Sequence, residues 1–486
     1  MSRPVKKLPI FFVVAVGVFM STLDSSMVNI ALPSIMHEFH SSLYSTEWVV
    51  MAYLLMITVS LLFWGHLGDR CGRRNIYALG MLIFGVGSFL CGISPNIYLL
   101  IGCRLFQASG ASMMMASGPA LIRESFPSAR LGRNLGLIGI AVSLGLMTGP
   151  SIGGFLIEYQ SWRAIFFVTA PIGLVFFLFA VKVLPGPSGP AVQEKFDTIG
   201  SLAWAASATI GLFALADPSS TWENPLFSLI TGIGLILFIL FIRHETRIAN
   251  PLFPLHLLQK RFFSIAVICA LLSFSILFTV TILTPFYLDR ILGLSASRIG
   301  MIMMAIPVSV LAVAPAAGWL SDHVGARYLT TAGLLISTVS LFLLTGLHTE
   351  TTPIEVAWRL LLLGSGQAMF LAPNSASVLA NVESHHAGVS AGLLATARNF
   401  GMLLGVAQAG TIFSFFYRKH SNGLDLKDFT AVHSQSFMTA LEVTFLTAGA
   451  IGVVGVILSW LRGKGLRRSR RKSGVPANEW DIPPAE

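Results

Sequence analysis

Charged residues are scarce in this chain: only 11% of its 486 residues are Asp, Glu, Lys or Arg, whereas 54% are hydrophobic and the mean hydropathy is +0.75. Soluble domains carry about 25% charged residues, so this composition excludes an ordinary soluble protein and indicates a membrane protein. The four cysteines match no metal-ligand spacing, and no phosphate-binding loop of the GxxxxGK[ST] type occurs. We therefore predict no metal or other cofactor and no ATP hydrolysis.

Long apolar runs dominate what the chain does contain. A bilayer span needs about 20 largely apolar residues, and fourteen runs between residues 8 and 461 meet that requirement. With both termini in the cytoplasm, the inner segments hold 23 of the 32 Lys and Arg residues and the outer segments hold 6. One missed span would invert every later loop, so this asymmetry favours fourteen spans with cytoplasmic termini. Membrane topology thus explains the net charge of +10, and we predict no nucleic-acid partner.

Two motifs of the first half recur in the second half. The segment 65–74 (GHLGDRCGRR) is echoed by 318–327 (GWLSDHVGAR) at an offset of 253 residues. Arg104, which precedes a Gly and a Met in the fourth run, is echoed by Arg359 in the twelfth run at an offset of 255. Two unrelated motifs at nearly one offset predict duplicated helical bundles, an architecture typical of secondary transporters.

The predicted fold class is therefore an all-α membrane protein. A first six-helix bundle is expected over residues 1–183 and a second over 262–461. Between them, 184–261 is predicted to be a linker with two additional transmembrane helices, and 462–486 a basic cytoplasmic tail.

An acid, Asp24, lies inside the first apolar run. An acid in a bilayer is costly unless it is neutralised, paired or hydrated, so it is by default a functional hypothesis. Burial favours the neutral carboxyl and a neighbouring cation favours the charged one, so a site where both act can exchange a proton. The alternative is a carboxyl that bonds to nearby hydroxyl groups for packing alone.

Arg104 is the predicted partner of Asp24. At about 1.5 Å per helical residue, Arg104 lies roughly 14 Å and Asp24 roughly 17 Å from the outer ends of their runs. We hypothesise that protonation of Asp24 releases Arg104 or the substrate. The alternative is a structural arginine bonded to backbone carbonyls. Arg398, in the thirteenth run, either lines the same cavity or braces its helix.

Five motifs in chain order then carry a resemblance to a known family: 23–33 (LDSSMVNIALP), 65–74 (GHLGDRCGRR), 104–110 (RLFQASG), 145–154 (GLMTGPSIGG) and 162–166 (WRAIF). The chain resembles the major facilitator superfamily, in its fourteen-helix drug/proton antiporter branch of EmrB/QacA type. The resemblance covers nearly the whole chain. It implies a plasma-membrane exporter that is driven by a proton gradient.

The segment 65–74 looks like the superfamily's loop between spans 2 and 3. We interpret it as a latch between the two bundles that breaks when access changes, and its candidate residues are Gly65, Asp69, Arg70, Gly72 and Arg73, with Asp322 in the second half. A simple positive-inside anchor would explain the arginines but not the recurring spacing from Asp to Gly.

Small residues recur along the fifth run at spacings near four. They are Gly145, Gly149, Pro150, Gly153 and Gly154. Such a surface lets another helix approach closely and can bend at the proline. Static packing explains it equally well, whereas the resemblance implies a hinge at the bundle interface that restricts leak.

These observations together predict a proton-coupled antiporter that exports small amphipathic compounds by alternating access as a monomer in the lipid bilayer. Cation exporters of this branch often carry a second acid early in the second span, where this chain has Met51. Neutral, zwitterionic or anionic substrates therefore also fit. Transport of a lipid or metabolite is the alternative within transport, and a membrane-embedded enzyme or sensor is the alternative outside it.

Overall fold

The structure is a computed structural model that describes residues 7–126, 128–186, 197–216, 225–248, 255–380 and 387–462. Within these ranges it is all-helical and contains no strand. The helices are α1 (Lys7–Phe39), α2 (Leu43–Cys71), α3 (Arg73–Gly92), α4 (Ile97–Ser125), α5 (Ser128–Tyr159), α6 (Arg163–Val183), α7 (Thr198–Ala216), α8 (Pro225–Glu245), α9 (Leu255–Leu258), α10 (Arg261–Arg290), α11 (Ala296–Met303), α12 (Ala305–Val324), α13 (Ala326–Leu344), α14 (Pro353–Ala380), α15 (Ala387–His420) and α16 (Ser434–Leu461).

Thirteen helices of the described chain are long and apolar enough to cross a membrane. The helix α5, with 32 residues, is a further long helix that completes the fourteen expected from the sequence. The tenth predicted span is divided into α11 and α12 at Met304. Pro307 follows three residues later, and proline has no N–H to donate to the carbonyl four residues before it. The predicted fold class is confirmed.

The helices pack mainly within two groups. In the first group, α3 packs on α4 and α6, α1 on α5 and α6, and α2 on α4. In the second, α13 packs on α14 and α16, α10 on α15 and α16, and α12 on α14. The helices α7 and α8 pack on each other. We call these the first group (α1 to α6), the second group (α10 to α16) and the inserted pair; the exact domain boundaries stay a prediction.

The internal repeat is visible in the geometry of equivalent helix crossings. A Cβ built at Gly80 of α3 would lie 2.8 Å from the Gly110 carbonyl oxygen of α4, and one at Gly333 of α13 would lie 2.6 Å from that of Gly366 in α14. Real Cβ atoms do not come so close, so glycine permits both crossings. The two groups therefore use the same small-residue contact at the position where the sequence repeats.

We call the side where α1 begins and α16 ends the termini end, and the opposite side the distal face. Among the described residues, the loops of the distal face are 40–42, 93–96, 160–162, 291–295, 345–352 and 421–433. In the described chain the first and second groups are in contact through at least five helix pairs: α1 with α10 and α11, α2 with α15, and α5 with α11 and α12. The contacts of α11 lie at the distal face, because α11 begins directly after the distal loop 291–295.

The inserted helix α7 lies along the contact between α2 and α15. Its Phe213 ring stacks on Trp48 of α2 with centroids 4.3 Å apart. Its Trp204 lies 5.9 Å from the ring of Phe400 in α15, and its Leu215 carbonyl accepts a hydrogen bond of 2.8 Å from Thr411 Oγ1 of the same helix. The helix therefore contacts both groups.

A carboxylate joins α7 to α8 at the termini end. Asp197, just before α7, accepts a 2.8 Å hydrogen bond from the Gly200 N–H and lies 2.8 Å from His244 Nε2 of α8. Burial raises the pKa of the Asp197 carboxyl. The hydrogen bonds from the Gly200 N–H and from His244 together lower this pKa by more than burial raises it, so it lies below its ordinary value. The charged carboxylate thus stabilises the inserted pair.

We expect Asp197→Asn to lower the free energy of unfolding by about 1 kcal/mol, since it weakens a helix N-cap. A lowered folded pKa means that this stabilisation is present above the ordinary Asp pKa of about 3.9 and is lost as pH falls through the lower folded value. Thermal unfolding measured over a pH series should show the difference between wild type and variant shrink in strong acid. The exposed Asp428→Asn serves as the control, and an unchanged difference at all pH values would contradict the assignment.

Candidate functional site

Asp24 and Arg104 form an ion pair in the middle of the first group. Arg104 Nη1 lies 2.6 Å from Asp24 Oδ2, and the side chains are 1% and 0% exposed. Gln107 completes the cluster: its Nε2 donates to Asp24 Oδ1 at 3.0 Å and its Oε1 accepts from Arg104 Nη1 at 2.6 Å. Each Asp24 oxygen therefore has a hydrogen-bond donor.

Further contacts fix the orientation of this cluster. Arg104 Nε donates to the Val49 carbonyl at 3.2 Å, and its guanidinium lies 4.1 Å from the centre of the Tyr53 ring. The Tyr53 hydroxyl is 2.9 Å from Ser21 Oγ, one turn before the acid in α1. Gln107 Nε2 also donates to Ser88 Oγ of α3 at 2.7 Å. Side chains of α1, α2, α3 and α4 thus meet at one polar centre in an apolar group.

The ion pair is almost completely buried in this conformation. Desolvation of two charges is repaid only when their geometry is good and their other polar atoms are hydrogen-bonded. Here both Asp24 oxygens and the Arg104 Nε and Nη1 atoms have hydrogen-bond partners. Removal of either partner would leave a buried charge without compensation. A proton or substrate can reach the Asp24 carboxylate only if the helices around it move apart.

Two members of this cluster were not among the predicted site residues. Gln107 lies three positions after Arg104, which places it on the same face of α4, so the helical period alone was a signal for it. Tyr53 gave no comparable signal, because an aromatic residue in an apolar run is ordinary core. Its position over the guanidinium depends on how α2 packs against α4.

Arg398 lies apart from the ion pair, in the second group. Its Nη2 donates to Ser375 Oγ of α14 at 2.6 Å, and its guanidinium is 6.0 Å from the centre of the Phe274 ring of α10. The residue is half-buried. It braces α15 against α14 in this conformation, and a role in coupling stays a prediction.

The segment 65–74 makes its described polar contacts inside the first group. Arg73 lies 2.6 Å from Asp69 and 2.7 Å from Glu124 of α4, and Arg74 donates to the Val181 carbonyl of α6. Gly72 has φ of 92°, a conformation that favours glycine. The segment therefore holds α2, α3, α4 and α6 together at the termini end.

Other candidate latch residues have less defined surroundings. Gly65 has open space where a Cβ would lie, and Arg70 is exposed. Asp322 lies in α12, but its side chain is outside the described part of the structure. Gly325 has φ of 101°, which matches Gly72 at the repeat offset. The turn is thus repeated in both groups, while the latch role between them stays a prediction.

The small residues of α5 face two different helices. Cβ atoms built at Gly145, Gly149 and Gly153 would lie 2.8 to 3.1 Å from atoms of α1. A Cβ at Gly154 would lie 3.1 Å from Ser297 Cα of α11. Close approach of helices, which the spacing predicted, is therefore present on both sides of α5.

The contact between α5 and α11 crosses from the first group to the second. A Cβ at Gly300 would lie 2.9 Å from the Pro150 carbonyl carbon, and the Ser297 N–H donates to Glu158 Oε2 at 2.9 Å. The predicted position at the bundle interface is thus observed at the distal face. Hinge motion and leak control stay predictions.

Comparison with known proteins places these features in a family. The family model described as Major Facilitator Superfamily matches residues 14–406 and 263–482. The chain belongs to the Major Facilitator Superfamily. It is a multi-pass membrane transporter of that superfamily.

Relatives of this superfamily transporter differ in what their names say they carry. It is 34% identical over 451 residues to "Riboflavin transporter RibZ" of Clostridioides difficile (strain 630), and the match covers 93% of this chain and 96% of that protein. It is 28% identical over 408 residues to "Tetracenomycin C resistance and export protein" of Streptomyces glaucescens, covering 84% and 76%. Multidrug resistance protein Stp of Mycobacterium tuberculosis (strain ATCC 25618 / H37Rv) is 29% identical over 401 residues, covering 82% and 74%.

Among solved structures, a bacterial homologue of the human lysosomal transporter Spinster, in an inward-facing and unoccupied conformation, superposes with a TM-score of 0.68. It shares 15% sequence identity, and the match covers 95% of this chain and 98% of that one. At this identity the likeness shows the fold alone.

We expect Asp24→Asn and Arg104→Gln each to destabilise the protein, and the double variant to be more stable than the sum of the two losses predicts. Removal of one partner from a buried ion pair typically costs about 3–5 kcal/mol, because the remaining charge is left without compensation. A double-mutant cycle on thermal or denaturant unfolding measures this coupling. Additive losses would contradict a direct ion pair.

Proposed function

We propose that this transporter is a proton-coupled antiporter that exports small amphipathic compounds from the cell by alternating access, with both chain termini in the cytoplasm. Its place in the fourteen-helix EmrB/QacA-type branch is part of this proposal. The observation that carries it is the Asp24 and Arg104 ion pair, buried at the centre of the first group. A carboxylate in that position is a default candidate for proton exchange in a membrane transporter.

The chemistry of the pair supports coupling. Protonation of Asp24 removes the charge that holds the Arg104 guanidinium. The guanidinium then keeps its contacts with the Val49 carbonyl, with Gln107 and with the Tyr53 and Phe166 rings. The released guanidinium then favours movement of α4 against α1, or contact with a substrate acceptor. Because the pair is sealed in the distal-closed conformation, proton entry requires the helices to separate, which ties protonation to a change of access.

Two classes of substrate fit the relatives. The names of the tetracenomycin and Stp relatives favour export of drugs or toxic organic compounds. Identity of 34% over nearly the full length of a riboflavin transporter favours a flavin or a similar polar aromatic metabolite as the second candidate. Flux assays must therefore include compounds of both classes.

We expect purified protein in proteoliposomes to move at least one amphipathic compound in the direction opposite to the downhill flow of protons. This flux should stop when the proton gradient is collapsed. Asp24→Asn should abolish this coupled flux, since the amide cannot bind and release a proton in its place. The assay panel should contain cationic dyes, tetracyclic aromatic compounds and riboflavin, with a pH-sensitive dye in the lumen to record counter-movement of protons.

Glu442→Gln is the matched control, because Glu442 is an exposed acid on α16. It should retain wild-type coupling. Undiminished coupled flux in Asp24→Asn, with folding verified by thermal unfolding, would remove Asp24 from the mechanism. Wild-type flux that does not depend on the proton gradient would contradict proton coupling altogether.

A further inference from the structure

A second buried acid lies at the contact between the two groups. Glu47, near the start of α2, is 1% exposed, and its Oε1 is buried without a hydrogen-bond partner among the described residues. It lies beyond the first turn of α2, so the N-terminal helix dipole does not explain it. An acid that is buried, unpaired and absent from the ion-pair cluster is a functional candidate.

The Glu47 carboxyl packs directly on α15. A Cβ built at Gly410 would overlap the Glu47 carboxyl group, so only glycine leaves room for it. The carboxyl of the first group is thus inserted against the backbone of the second group. Separation of α2 from α15 would uncover it near the distal face.

Charged groups on the neighbouring helices have other partners or lie elsewhere along their helices. On α4, Arg104 reaches α2 at the Val49 carbonyl but directs Nη1 to Asp24. The helix α7 carries no titratable side chain in its sequence. The remaining titratable groups of the adjoining helix ends are His37 and Glu38 on α1, Tyr98 on α4, Tyr287, Asp289 and Arg290 on α10, and Tyr417, Arg418, Lys419 and His420 on α15. Arg418 pairs with Asp425, Glu38 with Arg163, and Asp289 with Arg290.

On α3, the titratable groups are at its two ends and at Tyr77. Arg73 is paired with Asp69 and Glu124 at the termini end, and Tyr77 donates to the Val13 carbonyl. The Glu47 carboxyl is therefore held between α2 and α15 with no cation bound to it in the described structure. A carboxylate in such a place would be a desolvated charge without compensation, so the site accommodates the neutral acid.

We propose that Glu47 is a proton-operated lock of the distal face. The closed face is stable while Glu47 is protonated, and the ionised carboxylate, which needs contact with water, stabilises the open face. This rests on the proposed alternating-access function. The proton binds at a Glu47 carboxylate oxygen while the face is open and stays there while Gly410 covers it. Unlike Asp24, Glu47 meets water on the distal side only. Its protonation therefore determines when the distal face closes, and Glu47 carries no net proton across the membrane.

The test measures closure directly and needs neither substrate nor proton gradient, so its failure is distinct from failure of the proposed function. Spin labels at Gln160→Cys and Thr349→Cys report the separation of two exposed distal loops in opposite groups. Cys71→Ser removes the exposed native thiol. Double electron-electron resonance in lipid nanodiscs then gives the closed to open ratio as a function of pH.

In the labelled wild type, we expect the closed to open ratio to fall by up to about tenfold per pH unit as pH rises, the limiting slope for one proton. Glu47→Gln, which imitates the neutral acid, should stay closed across the series. Glu442→Gln should keep the wild-type profile. A wild-type pH profile in Glu47→Gln, or a closed fraction in the wild type that does not depend on pH, would overturn the proposal.

A second pair of variants tests the lock by shape instead of charge. Gly410→Ala places a methyl group where the carboxyl lies and should open the distal face at every pH. Glu47→Ala combined with Gly410→Ala removes both the carboxyl and the clash, so it should close again without pH dependence. If this double variant kept the pH dependence of the wild type, another group would operate the face and Glu47 would be excluded.

Discussion

The ion pair of Asp24 and Arg104 is the constraint around which the first group is arranged. Two charges in an apolar interior are tolerable only when nearly all of their polar atoms are satisfied, and here four helices supply partners. Gln107 contacts both charges, and Val49 and Tyr53 hold the guanidinium. The packing of α1 to α4 is therefore fixed by electrostatics as well as by shape, and a change in the charge of one carboxyl disturbs all four helices at once.

Duplication of the fold is not matched by duplication of this chemistry. The close crossing at Gly80 and Gly110 recurs at Gly333 and Gly366. The helix α10, which corresponds to α1, carries its one acid, Asp289, next to its last residue and none in its middle. The second group instead holds the half-buried Arg398, bonded to a hydroxyl group. The two halves share a scaffold, and the titratable centre belongs to one of them.

Hydropathy and charge placement were enough to predict the helices, because every span in a bilayer must be long, apolar and internally hydrogen-bonded. The partnership of Asp24 with Arg104 followed from similar depth. The sequence could not reveal Tyr53 over the guanidinium or Glu47 against Gly410, since both depend on which face of α2 meets its neighbours. Glu47 lies four residues before Met51, the position at which the resemblance implies a second acid in cation exporters. Only the packing of α2 shows whether an acid at position 47 is buried or in water.

The inserted pair has a consequence for the lipid around the protein. With α7 laid over α2 and α15, acyl chains are kept from the joint between the two groups, where Trp48 and Phe213 form the outer wall. A carboxyl at that joint faces protein and, on opening, water, but not hydrocarbon. A transporter that lacked these two helices would have to insulate the same joint with its own bulky side chains or leave it free of acids.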